Sequence, residues 1–320
     1  MEKRTLGHSG LTASAVGLGC NNLGRVGTVT QTQEGTSAVL HAALDAGVTF
    51  FDTADIYGAE WGLSETLMAE VLGTRRSEAV VATKFGHTAV ATPLDERGPK
   101  GSSAYIKAAV DASLSRLGVE VIDLFQQHMP DPSVPIEETL EALAELVADG
   151  KIRAYGHSQF SVEQLRAADR AAAAMGVPPF VTSQDELSLA SRAVEADGRL
   201  AAAEEVGMAF LPFFPLANGL FTGKFTRTKR PAGTRIAESR PHVADGANWD
   251  AMEAYQAFCD ARGITMLDAT IGWFLAKPVV GSVIAGATRP EQVVANAAAA
   301  SAWSPTAADI AVIDGLFPVA

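Results

Sequence analysis

The sequence predicts a single α/β domain spanning residues 1–320: a (β/α)8 TIM barrel with an N-terminal β-hairpin and a long loop after its seventh strand. Three observations lead there. Eight short β-rich runs alternate with longer amphipathic stretches from residue 14 to the end. Several of the runs are almost continuously apolar, as parallel strands covered by helices must be. No strand is followed by the GxGxxG turn of a doubly wound sheet, and the composition does not break along the chain, which favours one barrel over two domains.

The elements follow in order. "RTLGHSGLTAS" reads as a hairpin that could plug the barrel bottom. The strands are read at 14–19, 48–52, 80–84, 123–128, 152–158, 180–186, 207–215 and 281–286. Between them, "TSAVLHAALDAG" stops at Gly47, and "SSAYIKAAVDASLSRLG" opens on serines and stops at Gly118. "PIEETLEALAELVADG" opens on Pro135, carries acids in its first turn and stops at Gly150. These are expected helix caps. "TGKFTRTKRPAGTRIAESRPHVADG", after the seventh strand, is long, locally basic and rich in Gly and Pro, the kind of loop that is usually functional or disordered.

Hydrophobic residues make up 48% of the chain and charged residues 19%, an ordinary globular composition. The formal net charge of -12 argues against nucleic acid or an anionic membrane as partner, since phosphate surfaces need a basic footprint. No apolar run is long enough to span a bilayer, and "MEKRTLGHSG" has no secretory h-region. Cys20 and Cys259 are too few for a disulfide framework or a cysteine zinc site. A reducing cytoplasm is the expected compartment.

Barrel active sites gather at the C-terminal ends of the strands. Those ends carry Asp52, Lys84, His128, Ser158, Gln184 and Phe213, with Tyr57 in the loop after the second strand. Core packing alone would not end successive apolar strands on an acid, a lysine and a histidine. Phenols titrate near pH 10, and a nearby ammonium favours the phenolate. The pattern therefore suggests Tyr57 as the acid that protonates a carbonyl oxygen, Lys84 lowering its pKa, Asp52 anchoring Lys84, and His128 orienting the carbonyl.

"FFDTADIYG", "VVATKFG", "DLFQQHMPDP", "GKIRAYGHSQF", "SQDELSL", "FPLANGLFTGK" and "GATRPEQVVAN" together resemble the successive signatures of the aldo-keto reductase superfamily over essentially the whole chain. The resemblance implies NADPH-dependent reduction of aldehydes or ketones, with Asp52, Tyr57, Lys84 and His128 as a catalytic tetrad. It places Ser158 and Gln184 at the nicotinamide carboxamide, with Gln159 where the family usually has Asn. Phe213 would stack on the nicotinamide, and Pro215, Leu216, Ala217, Asn218 and Gly219 would cross the pyrophosphate near Thr222, Lys224 and Arg235. Cys20, Gly286 and Thr288 complete this set. His157 stands where a small or apolar residue is usual, and a ligand contact is one reading of it.

The helix expected from Pro290 offers unpaired N–H groups suited to phosphate, with Arg289 beside it and Gln292 and Asn296 one turn apart. The resemblance implies that this segment clasps the adenosine 2′-phosphate, so NADP(H) is expected over NAD(H). Around the carbonyl, Asn21, Asn22, Trp61, Phe85, Met129 and Phe214 are candidate pocket walls, and the two amides suggest a partly polar substrate. Other readings are a Schiff-base aldolase on Lys84, a metal-dependent hydrolase, which lacks an HxH pair, and a cofactor-bound accessory subunit with little turnover.

Overall fold

A computed structural model describes residues 1–319. Strands β1 (Lys3–Thr5) and β2 (Thr12–Ser14) pair antiparallel as the hairpin. Eight more follow: β3 (Val16–Gly19), β4 (Phe50–Asp52), β5 (Val80–Phe85), β6 (Ile122–Gln127), β7 (Ile152–Ser158), β8 (Thr182–Glu186), β9 (Ala209–Phe213) and β10 (Val283–Gly286). They close a parallel barrel in chain order, β10 sealing against β3.

The pleat sorts side chains into two layers. Phe50, Ala82, Leu124, Ala154, Leu211 and Ile284 fill the barrel together with Leu6 and Ala13 of the hairpin segment. Their sequence neighbours Phe51, Val81, Phe125, Tyr155, Phe210 and Ala285 join the larger cluster beneath the helices. A shift of one residue along a strand thus exchanges one layer for the other.

The hairpin seats under the barrel because Gly7 has φ +55°, and a Cβ there would lie 2.3 Å from the Val181 carbonyl oxygen. Arg4 reinforces this seat by donating to the carbonyls of Leu275 (2.7 Å) and Val280 (2.9 Å).

Helix punctuation follows the sequence. Ser102 caps Ser103–Leu117, which ends at Gly118 in the left-handed region. Pro135 stands at the N-cap of Ile136–Ala148, one position earlier than the first-turn site that suits proline best. The long segment after β9 is less irregular than its Gly and Pro content suggests. Thr234 caps a short helix, Arg235–Ser239, and Pro241 opens another, Pro241–Asp245. Among the described residues no helix is long and apolar enough to cross a membrane.

Candidate active site

Strands β4, β5 and β6 deliver the reactive group from inward-facing positions. Lys84 is fully buried, and its Nζ donates to Asp52 Oδ2 (2.7 Å) and to the Thr53 carbonyl (2.8 Å). The same ammonium lies 5.1 Å from the centre of the Tyr57 ring. His128 meets Tyr57 edge-on, with ring centres 5.8 Å apart. Asp52 Oδ1 accepts from Gln184 Nε2 (2.8 Å) and Gln126 Nε2 (3.4 Å), so this carboxylate faces three donors. All four residues read from the strand ends and the following loop converge.

Electrostatics assign the protons. Tyr57 keeps part of its surface exposed, but its hydroxyl end lies deep. Burial raises the phenol's pKa more than the Lys84 ammonium lowers it, so the net direction is upward. This corrects the expectation that Lys84 would bring the phenol below its ordinary value. The phenol stays protonated, and the ammonium offsets part of the cost of its anion. For Lys84 itself, burial acts against the charge, and Asp52 and Tyr57 outweigh it, leaving the ammonium secure. His128 is held well below the usual imidazole range by burial and then by the charge of Lys84. It is a neutral ring whose buried Nδ1 has no hydrogen-bond partner among the described residues. The site can therefore donate one phenolic proton and one imidazole N–H to an oxygen placed between them.

Beside this group runs a polar crevice. Ser158 ends β7 and pairs in register with Gln184, in the middle of β8. Gln159 adopts φ 63° and donates to the His128 carbonyl at 3.4 Å. Phe213 and Phe214 pack edge-to-face at 5.2 Å, and Phe214, Ala217 and Asn218 all have positive φ, so the backbone at 214–219 is held in an uncommon shape. Leu216 and Pro215 are buried, Gly219 has φ 102°, and Thr222 turns its hydroxyl back to the Gly219 carbonyl. Asn218 Oδ1 and Arg235 Nε are buried without hydrogen-bond partners among the described residues, as fits a segment that receives a polar ligand. Lys224 is exposed. Helix Pro290–Ala302 starts beside the strand-end Gly286, with exposed Arg289 at its N-cap. Gln292 accepts from Thr288 N (2.8 Å), and Asn296 is buried. A dinucleotide's nicotinamide, pyrophosphate and ribose phosphate would find donors along this path.

Two expected contacts do not hold. Phe85 follows inward-facing Lys84 and therefore turns outward, where it is fully buried and stacked on Phe125 at 4.7 Å. It cannot wall the substrate. Cys20 likewise lies in the strand–helix cluster, fully buried, its thiol pushed up by burial. Its side chain offers neither a cofactor contact nor a reactive thiolate. His157 shares this parity: it stacks on Phe160 at 4.4 Å, fully buried, and neither ring nitrogen has a hydrogen-bond partner among the described residues. Trp61 packs against Arg116 at 4.0 Å. Met129 is half-buried and within 3.7 Å of the Thr88 hydroxyl; Asn21 is half-buried, whereas Asn22 is almost wholly buried.

The sequence reading missed three residues. His87 packs edge-on against His128, ring centres 4.8 Å apart. Gln126 underlies Asp52; its alternation with His128, the residue that follows β6, was the available signal. Asp55, two positions before Tyr57, is buried, and neither carboxylate oxygen has a hydrogen-bond partner among the described residues. Burial and the charge of Glu65 raise it to about 7.

The sequence model of the Aldo/keto reductase family matches residues 15–317. The chain is 32% identical over 326 residues to an L-glyceraldehyde 3-phosphate reductase of Escherichia coli (strain K12), covering 98% of this chain and 92% of that protein. A second relative, "Probable aldo-keto reductase 1" of Glycine max, is 32% identical over 276 residues, with 85% of this chain and 76% of the relative covered.

Proposed function

The chain belongs to the aldo/keto reductase family, and from that premise we propose that it is an NADPH-dependent reductase of aldehydes and ketones. The observation that carries the reading is the buried Lys84–Asp52 pair set beneath Tyr57 and beside neutral His128. When bound, the nicotinamide supplies the hydride. His128 orients the carbonyl through an imidazole N–H. Tyr57 then gives its proton to the carbonyl oxygen, and Lys84 stabilises the phenolate left behind. Asp52 keeps that ammonium in place, itself held by Gln184 and Gln126.

Ser158, Gln159 and Gln184 are the residues for the carboxamide, Phe213 for the ring face, and 215–219 with Thr222, Lys224 and Arg235 for the pyrophosphate. Gly286, Thr288, Arg289, Gln292 and Asn296 are those for the 2′-phosphate. This reading makes Arg289→Ala weaken NADPH about tenfold and NADH hardly at all. Asn21 and Met129 at the rim suit a short polar aldehyde. The bacterial relative's name makes phosphorylated trioses the first compounds to try. The compartment is proposed to be cytoplasmic.

The test is NADPH consumption across aldehydes, ketones and sugars, with Tyr57→Phe alongside. Turnover should fall about 10²–10⁴-fold while NADPH affinity holds. Equal turnover in the variant would remove Tyr57 from its role.

A further inference from the structure

The loop after β5 carries a second imidazole that the reaction described above does not use. His87 stands edge-on to His128, ring centres 4.8 Å apart, and His128 in turn stands edge-on to Tyr57. The loops after β5 and β6 run side by side here. The His128 backbone N–H donates to the Phe85 carbonyl (2.7 Å), and the Thr88 hydroxyl donates to Met129 Sδ (3.7 Å).

This loop is braced from within. Lys100, half-buried, donates to the carbonyls of His87 (3.1 Å) and Val90 and pairs with Asp95 (3.1 Å). Thr92 donates to Asp95 (2.9 Å) and shares a hydrogen bond with the Tyr105 hydroxyl of helix Ser103–Leu117 (3.0 Å). Gly86, at φ +76°, turns the chain out of the strand just before His87. Bracing of this kind holds a side chain in position before any ligand arrives.

Packing alone does not account for the residue. His87 Nδ1 is buried with no hydrogen-bond partner among the described residues, a cost that a phenyl ring in the same place would avoid. The ring as a whole is only half-buried, so Nε2 is the nitrogen left to meet a ligand. Burial keeps the ring below the usual imidazole range, so it is neutral and better matched to an uncharged group than to an anion. A neutral imidazole nitrogen donates or accepts according to its tautomer, and a hydroxyl answers either.

We propose that His87 is a specificity-determining residue, binding a hydroxyl on the carbon next to the reacting carbonyl and reading the handedness of that carbon. The inference rests on the function proposed above, which sets the carbonyl oxygen between Tyr57 and His128. A hydroxyl on the adjacent carbon lies close beside that oxygen, and His87 is the polar ring next to His128. Two residues hold the oxygen and hydride arrives at one face. A third contact, on one side only, then fits one enantiomer better than the other.

The test uses the full chain, His87→Phe, which keeps the ring, and His87→Gln, which keeps a polar nitrogen. The kcat/KM for each enantiomer of lactaldehyde is divided by that for propanal, which lacks the hydroxyl. Wild type should favour one enantiomer, and His87→Phe should cut that ratio about tenfold, the worth of one hydrogen bond. His87→Gln should restore part of it. A packing defect would lower both rates and leave the ratio alone, so an unchanged ratio in His87→Phe would overturn the assignment. A wild-type chain that reduces no aldehyde with NADPH would defeat the proposed function instead. The contact is then decided by NMR of the histidine ring nitrogens, with the His87 signal identified by its loss in His87→Phe. A shift on adding propylene glycol but not propanol would leave the contact standing, and no shift would remove it.

Discussion

At the scale of single residues, strain and unpaired charge mark the site more sharply than composition does. Gln159 holds φ 63°, a conformation that asparagine tolerates better than glutamine. Gln159→Asn should stabilise the protein by about 0.5–1 kcal/mol in denaturant titration; a loss would mean that the 3.4 Å bond to the His128 carbonyl outweighs the strain. Asp55 raises a different issue, because its folded carboxyl sits near 7 against an ordinary 3.8. Its stabilising contribution is complete below pH 3.8, declines as pH rises through 7, and is flat above. Asp55→Asn removes that loss, so the variant should gain on the order of 2–4 kcal/mol over wild type at pH 8 and much less at pH 4. Equal gains at both pH values would show that the carboxyl is not titrating there.

At the scale of elements, the pleat decides which readings survive. Lys84 and His128 were legible as strand-end residues because the inward parity that buries Ala82 and Leu124 also points them at the mouth. The same parity sends Phe85, Cys20 and His157 outward. Counting alternation from Lys84 would have excluded Phe85 from the pocket wall. Trp61 sits in a loop with no periodicity to place it, so its contact with Arg116 was not readable. The hairpin was legible from "LGHSGL", but the reason for its glycine was not, since the Val181 carbonyl that Gly7 faces is distant in sequence. Gly7→Ala must accept both positive φ and that contact, and should cost about 2–3 kcal/mol. Turnover per folded molecule should not change, because the hairpin lies at the end of the barrel opposite the chemistry. Altered kcat in the folded fraction would contradict this separation.

Across the whole molecule, two buried titrating groups oppose one another. His157 is held down to about 3 by burial, against an ordinary value near 6.5. Its contribution is full above pH 6.5, falls as pH drops towards 3, and levels off below. By pH 5 the loss is about 2 kcal/mol. Asp55 changes in the other direction between pH 4 and 6.5, so the wild-type profile conceals both. His157→Phe should flatten the acid limb of the stability curve, read by urea midpoints from pH 4 to 8. An unchanged limb would assign acid sensitivity elsewhere. The barrel order and the four convergent residues could be read from one dimension because period and strand ends carry them. These two penalties could not, since they depend on which neighbours fail to supply a hydrogen bond.

Both cysteines are sealed, Cys20 between barrel and helices and Cys259 within helix Trp249–Asp260. A thiol reagent should therefore find nothing to modify until the chain opens, and labelling kinetics become a built-in gauge of opening. If the helical layer breathes independently of the barrel mouth, Cys259 will be tagged well ahead of Cys20. A single shared rate would mean that both regions come apart in one cooperative event.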